Sequence, residues 1–174
     1  ALGGSVLTCA LAALLCFVLR LWFVLGMRGT PFSTVSAQVV DSWYYHTHAL
    51  DILGRGFWGT AVFFLRPLYP YLLALVYALF GRGNVLAVQL IQVLMATGSC
   101  LLLWDTARRM FGRAAAGIAA FGFALCGILV FYSGALLYVE LTVFLSLLAV
   151  WLVLVAPDRW WRWVLAGLAF GILV

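Results

Sequence analysis

Charge is scarce in this sequence and lysine is absent: charged residues make up 9% of the 174 positions, and all ten basic residues are Arg. A soluble domain would carry about 25% charged residues, so the composition excludes an ordinary soluble protein. Hydrophobic residues instead account for 67% of the chain, and the mean hydropathy is +1.18. The sequence therefore predicts an integral membrane protein.

Acidic residues are scarcer still, at five against ten Arg, which gives a formal net charge of +5 at pH 7. In a soluble protein this excess would suggest nucleic-acid binding. Here the Arg residues stand at the ends of apolar runs, where they set topology and meet anionic headgroups, so we predict no nucleic-acid partner. The four Cys fall inside apolar segments without a C-x-x-C pair, which favours inert core thiols.

Apolar runs of about 20 residues, each able to cross the ~30 Å hydrocarbon core as a helix, recur along the chain. We predict an all-α fold, a polytopic transmembrane helix bundle that forms a single membrane domain over residues 1–174. The predicted spans cover about residues 5–27, 85–104, 114–131 and 136–156, with an incomplete fifth at 160–174. Because the chain starts at Ala1 rather than Met and ends within an apolar run, we expect it to belong to a longer protein.

Arg-rich stretches set the predicted orientation. DTARRMFGR and APDRWWRW follow the second and fourth spans, and the positive-inside rule places both in the cytoplasm. The N-terminus is then cytoplasmic, and the long first loop, residues 28–84, lies on the extracytoplasmic side with juxtamembrane helices. Residues 67–80 of this loop are apolar but too few to span comfortably, so we predict a re-entrant or interfacial helix there.

Two charged residues fall inside the four complete predicted spans. Arg20 lies one or two turns from the far end of the first span, where we favour snorkelling to the interface over a position in the protein interior. Glu140 lies about one turn inside the outward end of the fourth span. A lone carboxylate at that depth costs about 2.5 to 3.5 kcal/mol on insertion scales, so Glu140 either faces a functional cavity or forms a structural pair with a cation.

Much of the polarity of the chain lies in VDSWYYHTHALDIL, residues 40–53. A cap position at Asp41 and a stop signal at Gly54 predict a surface helix over about 41–53. At about 100° per residue, one face of this helix gathers two carboxylates, two phenols and an imidazole. That face carries Asp41, Tyr44, Tyr45, His48, Asp51 and Ile52, while Ser42, Trp43, His46 and Leu50 fall on the other.

Each of these residues also has a structural explanation. Asp41 could simply cap the helix, and Asp51 could be a solvated charge or an i,i+4 partner of Arg55. The aromatic residues suit an interfacial belt. The two rings of H-x-H project about 200° apart on a helix, which makes a poor chelate, so we predict no metal site. No required cofactor is predicted, and dependence on a divalent metal is left open.

The order of these features resembles the membrane glycosyltransferases of the GT-C fold. The closest likeness is to the bacterial branch of the dolichyl-phosphate-mannose protein mannosyltransferase superfamily. It lies in an N-terminal span, an outward loop with an early Asp followed by Tyr-Tyr, and then FFLRPLYPYLLALVYALFG and LLLWDTARRMFGRAAAGIAA. The resemblance covers about residues 19–153 and implies the N-terminal portion of such an enzyme, a truncated GT-C-like bundle.

The resemblance implies transfer of a sugar from a polyprenyl-phosphate carrier to an acceptor at the extracytoplasmic face of the bacterial inner membrane. It implies that Asp41 is a general base or an orienting carboxylate and that Glu140 is a second catalytic acidic residue near the cavity. In FLRPLYP it places Arg66 on the carrier phosphate and Tyr69 in the substrate site. Many relatives carry Asp-Glu in the first loop, whereas Ser42 follows the Asp here.

Three more residues of the surface helix, Tyr44, Tyr45 and His48, are expected to line the substrate pocket. Expected partners are the polyprenyl-phosphate-linked sugar and membrane lipids, and membrane protein partners are left open. We expect activity in the full-length protein. The alternative is a non-catalytic structural subunit of a larger membrane complex, because the aromatic fraction of 16% would serve packing equally well.

Overall fold

Helices account for all regular structure in the computed structural model, which describes residues 2–30, 40–56, 63–155 and 158–172. Within these ranges there is no strand, so the predicted all-α fold class is confirmed. The helices of this part are α1 (Leu2–Gly26), α2 (Val40–Arg55), α3 (Leu68–Phe80), α4 (Val85–Phe111), α5 (Arg113–Leu125), α6 (Gly127–Gly134), α7 (Val139–Val155) and α8 (Trp160–Gly171).

Two of the described helices are long and apolar enough to cross a membrane, α1 over Ser5–Gly26 and α4 over Val85–Phe111. The pair α5 and α6 becomes a third crossing if the two helices, bent by 50°, form one span. α3 and α7 are apolar but shorter, at 13 and 17 residues. Large apolar side chains such as Trp22 and Ile118 are 73% and 76% exposed. Lipid chains would cover such side chains in a membrane.

Local signals at both ends of α4 explain its bounds. The Oδ1 of Asn84 accepts a hydrogen bond of 3.2 Å from the backbone N–H of Ala87 and so caps the start of the helix. Gly112 follows the helix with a φ of 88°, a left-handed conformation that favours glycine. α4 therefore continues to Phe111, beyond the predicted end of the second span at residue 104, and Arg108 and Arg109 occupy its last turn.

The predicted third span, residues 114–131, is interrupted. α5 ends at Leu125, Cys126 is extended with φ −66° and ψ 102°, and α6 begins at Gly127. Such a break leaves carbonyl groups at the end of α5 without partners in their own helix. Inside a membrane protein those carbonyls need donors from a neighbouring element.

Arg20 of α1 supplies these donors. Its Nη1 lies 3.3 Å from the carbonyl oxygen of Ala124, and its Nη2 lies 3.3 Å from that of Phe123. The guanidinium also lies 5.0 Å from the centre of the Phe123 ring, and Arg20 is 0% exposed. The favoured prediction that Arg20 snorkels to the interface is therefore wrong, because its charge is used inside the bundle to satisfy the interrupted helix.

Small side chains bring α1, α4 and α5 close together. They form one buried cluster: Ala12, Cys16, Cys100, Ala120 and Ala124. Such residues let the backbones of neighbouring helices approach, which favours packing in a membrane.

At the far end of α4, Asp105 accepts hydrogen bonds from Arg109 Nε at 2.7 Å and from Trp151 Nε1 at 2.9 Å. This carboxylate therefore ties α4 to α7.

Candidate active site

A cavity of about 500 Å³ lies between α2, the segment that precedes α3 and the bend that precedes α7. Its lining residues are Tyr45, Phe63, Phe64, Leu65, Arg66, Pro67 and Tyr138. The cavity thus brings together Tyr45 and Arg66, two of the predicted substrate-binding residues. Of the described residues that line it, only Arg66 carries a charge.

The guanidinium of Arg66 rests against an aromatic ring. Its central carbon lies 4.3 Å from the centre of the Tyr138 ring, within the ~6 Å range of cation–π attraction. The ion pairs of the described chain join other residues, and no described carboxylate pairs with Arg66. Its N–H groups therefore remain available to an anion that enters the cavity.

Tyr45 is 0% exposed, and its ring packs edge-on against Tyr69 at 5.0 Å between ring centres. Its hydroxyl is buried and has no hydrogen-bond partner among the described residues. Burial raises the pKa of Tyr45 to about 12; Tyr138 and Asp41 nearby add to the rise, and Arg66 opposes it. The phenol therefore stays protonated at neutral pH and has a free O–H donor beside the cavity.

Asp41 is not among the lining residues of the cavity. It is the second residue of α2, in the first turn rather than at the predicted cap position. Its side chain is partly exposed, and Tyr45, which lines the cavity, follows four residues later on the same side of the helix. The negative charge of Asp41 adds to the rise in the pKa of Tyr45, and the positive charge of Arg66 opposes it.

Tyr44 and His48 do not line the cavity, but they support the segment that forms one of its walls. The hydroxyl oxygen of Tyr44 accepts hydrogen bonds from the backbone N–H groups of Phe64 at 2.7 Å and Leu65 at 3.2 Å. The ring of His48 packs 4.0 Å from that of Tyr44, and its Nδ1 lies 3.1 Å from the Tyr44 carbonyl oxygen. These two residues thus anchor the segment that carries Arg66, and their predicted contact with substrate stays a prediction.

The buried face of α2 differs from the predicted one. Ser42, Tyr45 and Ala49 are each 0% exposed, although the helical projection put Ser42 on the opposite face. Small side chains at Ser42 and Ala49 leave room for close packing on the buried side of the helix. The possible pair of Asp51 with Arg55 is confirmed, with 3.2 Å between Oδ1 and Nε.

His46 also packs inward, with its Nδ1 2.8 Å from the hydroxyl oxygen of Tyr77 in α3. Burial lowers the pKa of His46 below its usual value of 6.5. The two imidazoles of H-x-H therefore have different partners. Across the described residues, no three His, Cys, Asp or Glu side chains form a group that could hold a metal ion.

Tyr69 packs against Tyr45 but does not itself line the cavity. Its hydroxyl donates a hydrogen bond of 2.9 Å to Oε1 of Gln92 in α4. The Nε2 of Gln92 in turn donates to the carbonyl oxygens of Ala135 at 2.8 Å and Tyr132 at 3.1 Å. Gln89, one turn earlier, donates to the carbonyl oxygen of Gly134 at 2.7 Å. The two glutamines thus supply side-chain donors to carbonyl groups at the end of α6. The carbonyls of Tyr132 and Ala135 also accept backbone N–H groups, whereas that of Gly134 accepts the side chain of Gln89.

Glu140 is fully buried near the start of α7. Its Oε1 accepts a hydrogen bond of 2.6 Å from the hydroxyl of Ser133, and its Oε2 has no partner among the described residues. This contact links the last turn of α6 to the first turn of α7 across residues 135–138. Glu140 does not line the cavity, whereas Tyr138, two residues earlier, does.

Sequence reasoning missed Tyr138 and the two glutamines. Gln89 and Gln92 carried a usable signal, because polar residues at i and i+3 within an apolar helix usually face a protein neighbour. Tyr138 carried no such signal. Only the fold brings it to Arg66, which is distant in sequence.

Residues 66–174, more than half of the chain, match the family described as dolichyl-phosphate-mannose-protein mannosyltransferase. The matched part begins at Arg66 and includes the bend with Tyr138 and Glu140, while α2 with Asp41 precedes it. No curated protein and no solved structure matches the chain significantly.

Proposed function

Because the chain belongs to the dolichyl-phosphate-mannose-protein mannosyltransferase family, we propose that it transfers a sugar from a polyprenyl-phosphate carrier to an acceptor. The family supports a membrane glycosyltransferase of the mannosyltransferase type. The observation that carries the finer proposal is the cavity in which Arg66 has no carboxylate partner among the described residues. A cavity with one available guanidinium suits a substrate with a phosphate group.

In this proposal Arg66 binds the carrier phosphate. A guanidinium can donate two parallel hydrogen bonds to a phosphate, and it keeps its charge at any physiological pH. Negative charge accumulates on the phosphate as it leaves the sugar, so a fixed cation beside it stabilises the transition state. The free O–H of Tyr45 supplies a neutral donor to the same region.

Asp41 is the proposed base. The acceptor hydroxyl oxygen forms a new bond to the anomeric carbon of the sugar, the bond from that carbon to the phosphate oxygen breaks, and the acceptor proton passes to the Asp41 carboxylate. The carrier phosphate leaves with the bonding electrons. Such a base must lie near the reacting hydroxyl, which fits a partly exposed carboxylate one helical turn before Tyr45, a residue that lines the cavity.

Glu140 has a different role in this proposal from the catalytic one that the resemblance implies. Its burial and its hydrogen bond to Ser133 suit a positioning residue that fixes the bend before α7. Exchange of Glu140 should therefore disturb the cavity through Tyr138, rather than through loss of proton transfer.

The test measures sugar transfer by the full-length protein in membranes that are supplied with radiolabelled polyprenyl-phosphate mannose. We expect Asp41→Asn to lower the transfer rate by about 100-fold or more, because general base catalysis contributes about 10² to 10⁴. Asp51→Asn is the matched control, since Asp51 lies on the same helix and pairs with Arg55. Equal rates for the two variants would remove Asp41 from catalysis, and a wild-type protein that transfers no label would contradict the mannose donor.

We also propose that the site faces the extracytoplasmic side of a bacterial inner membrane and that the N-terminus is cytoplasmic. The Arg residues at the end of α4 support this orientation, because such clusters favour the cytoplasm. A membrane-impermeant maleimide should label a Cys placed at Arg82 from outside the cell and should not label one placed at Arg109. The reverse pattern would invert the proposed topology.

A further inference from the structure

Arg66 lies on a segment that is fixed on both sides. Before it, the backbone N–H groups of Phe64 and Leu65 bond to the Tyr44 hydroxyl. After it, Pro67 precedes α3 with a φ of −73°. A proline restricts the preceding residue to extended conformations. The backbone of Arg66 is thus well defined, and the remaining freedom lies in its long side chain, whose ordering costs about 2 kcal/mol of rotamer entropy.

Tyr138 is held just as firmly from the other side of the cavity. It closes the bend at residues 135–138, in which Leu136 and Leu137 are buried. The amide of Gln92 bonds to the carbonyl of Ala135 at the start of the bend. The hydrogen bond from Ser133 to Glu140 joins the residues on either side of this bend. The ring of Tyr138 is therefore a fixed surface in the wall of the cavity.

The contact between these two residues orders the cation without neutralising it. A carboxylate in the place of Tyr138 would take hydrogen-bond donors from the guanidinium and cancel its charge. An aromatic ring attracts the cation through its quadrupole and accepts no conventional hydrogen bond. The N–H donors of Arg66 consequently have no acceptor among the described residues and can all serve a ligand.

We propose that the Tyr138 ring is a platform that positions the Arg66 guanidinium for the phosphate of the lipid carrier. The inference rests on the proposed function for the identity of the ligand. Tyr138 is a positioning residue in this account, because it acts through Arg66. It follows that the aromatic ring of residue 138 matters and that its hydroxyl does not.

The test is the binding of farnesyl phosphate, a short polyprenyl phosphate, to the full-length protein in detergent by isothermal titration calorimetry. Tyr138→Leu should raise the Kd roughly 3- to 30-fold, the range that loss of a cation–π contact gives. Tyr138→Phe should stay within about twofold, since the ring remains. Phe131→Leu, at an exposed aromatic residue of the neighbouring α6, should leave the Kd unchanged and serves as the matched control.

A double-mutant cycle separates this role from a merely structural one. If Tyr138 acts through Arg66, then Tyr138→Leu should weaken binding no further once Arg66→Ala is present. Additive losses in the cycle, or an equal loss in Tyr138→Phe and Tyr138→Leu, would overturn the proposal. Should Tyr138→Leu fail to fold, pentafluorophenylalanine at position 138 keeps the ring shape and removes its attraction for cations. That variant should then show the same loss of affinity.

Activity distinguishes this inference from the proposed function. If the wild-type protein transfers sugar, Tyr138→Leu should raise the KM for the donor and also lower kcat, because Arg66 binds the phosphate in the ground state and stabilises the charge that develops on it in the transition state. An unchanged KM, with Arg66→Ala still impaired, would overturn the platform and leave the glycosyltransferase intact. Binding of farnesyl phosphate that depends on both residues, without sugar transfer, would support the platform and reject the proposed reaction.

Discussion

The amide of Gln92 donates a hydrogen bond of 2.8 Å to the carbonyl oxygen of Ala135, and thereby connects α4 to the bend below the cavity. The Oε1 of the same side chain accepts a hydrogen bond of 2.9 Å from the hydroxyl of Tyr69. One residue of α4 thus supports both Tyr69, whose ring packs against the cavity-lining Tyr45, and the bend that carries Tyr138. The candidate site depends on this buried amide although no ligand would touch it.

Exchange of Gln92 for Met should destabilise the protein. The side chains are similar in size. The carbonyls of Tyr132 and Ala135 lose a side-chain donor and keep their backbone N–H partners. Met offers no acceptor to the buried Tyr69 hydroxyl, however, and an unsatisfied buried group costs about 1–3 kcal/mol. We expect the free energy of unfolding in an SDS titration to fall by that amount. Gln89→Met removes one hydrogen bond and should cost less. The two variants would contradict this account if both unfolded at the wild-type midpoint.

Exchange of Arg20 for Met tests how the interruption after α5 is stabilised. The variant leaves the carbonyl group of Ala124 without its side-chain donor and takes one of two donors from that of Phe123, which keeps the Cys126 N–H, so we expect about 1–3 kcal/mol of lost stability. The exposed Arg28, just after α1, gives the control Arg28→Met, which should stay within about 0.5 kcal/mol of wild type. A snorkelling Arg20 would give the two variants similar, small effects.

The sequence predicted what depends on composition and on neighbours along the chain. The mean hydropathy of +1.18 implied membrane helices, and the helices expected at 41–53 and 67–80 correspond to α2 and α3. Pro67 marks the start of α3 as expected, whereas α2 runs past the predicted stop at Gly54 and ends at Arg55, before Gly56 with a φ of 97°. The projection of α2 was right for Tyr45 and wrong for Ser42, because a small buried Ser has no signature in a helical wheel.

The rest depended on contacts between distant residues. Arg20 was predicted to snorkel because its partners are carbonyl groups at the end of α5. The sequence around Arg20 gives no indication that α5 ends at Leu125. Similarly, the partner of Arg66 is the ring of Tyr138, which belongs to a different element. Glu140 was expected to face a functional cavity or to pair with a cation, whereas its hydrogen-bond partner is Ser133, which the bend between α6 and α7 brings to it. A charged residue inside a predicted membrane span is therefore a sign of a specific contact, but the sequence does not say which residue is its partner.

Exchange of Tyr44 for Phe should impair the site without removing any lining residue. The variant keeps the ring beside His48 but loses the hydroxyl oxygen that accepts the N–H groups of Phe64 and Leu65. Because these bonds hold the segment before Arg66, we expect the Kd for farnesyl phosphate to rise roughly 3- to 30-fold, equivalent to one or two hydrogen bonds. Trp43→Phe, at a 57% exposed position of the same helix, is the control. A Kd equal to that of wild type would show that Tyr44 does not fix this segment.

The pH dependence of stability should report on His46. Burial lowers its pKa below 6.5, so the folded protein binds a proton at this ring less readily than the unfolded chain does. As the pH falls below about 6.5, the unfolded state takes up protons first, and stability declines until the folded-state pKa is passed. Above that window the contribution of His46 is complete and constant.

The measurement compares unfolding midpoints of the wild type and of His46→Gln between about pH 5 and pH 8, the range in which histidine titrates. We expect the wild-type midpoint to rise with pH up to about 6.5, and the variant to lack the part of this slope that His46 contributes. Tyr77→Phe, which removes the hydroxyl that His46 contacts at 2.8 Å, should keep the direction of the slope, because burial is its main cause. If the slope were identical in wild type and His46→Gln, protonation elsewhere would account for it, and the packing of α2 on α3 would not depend on a neutral His46.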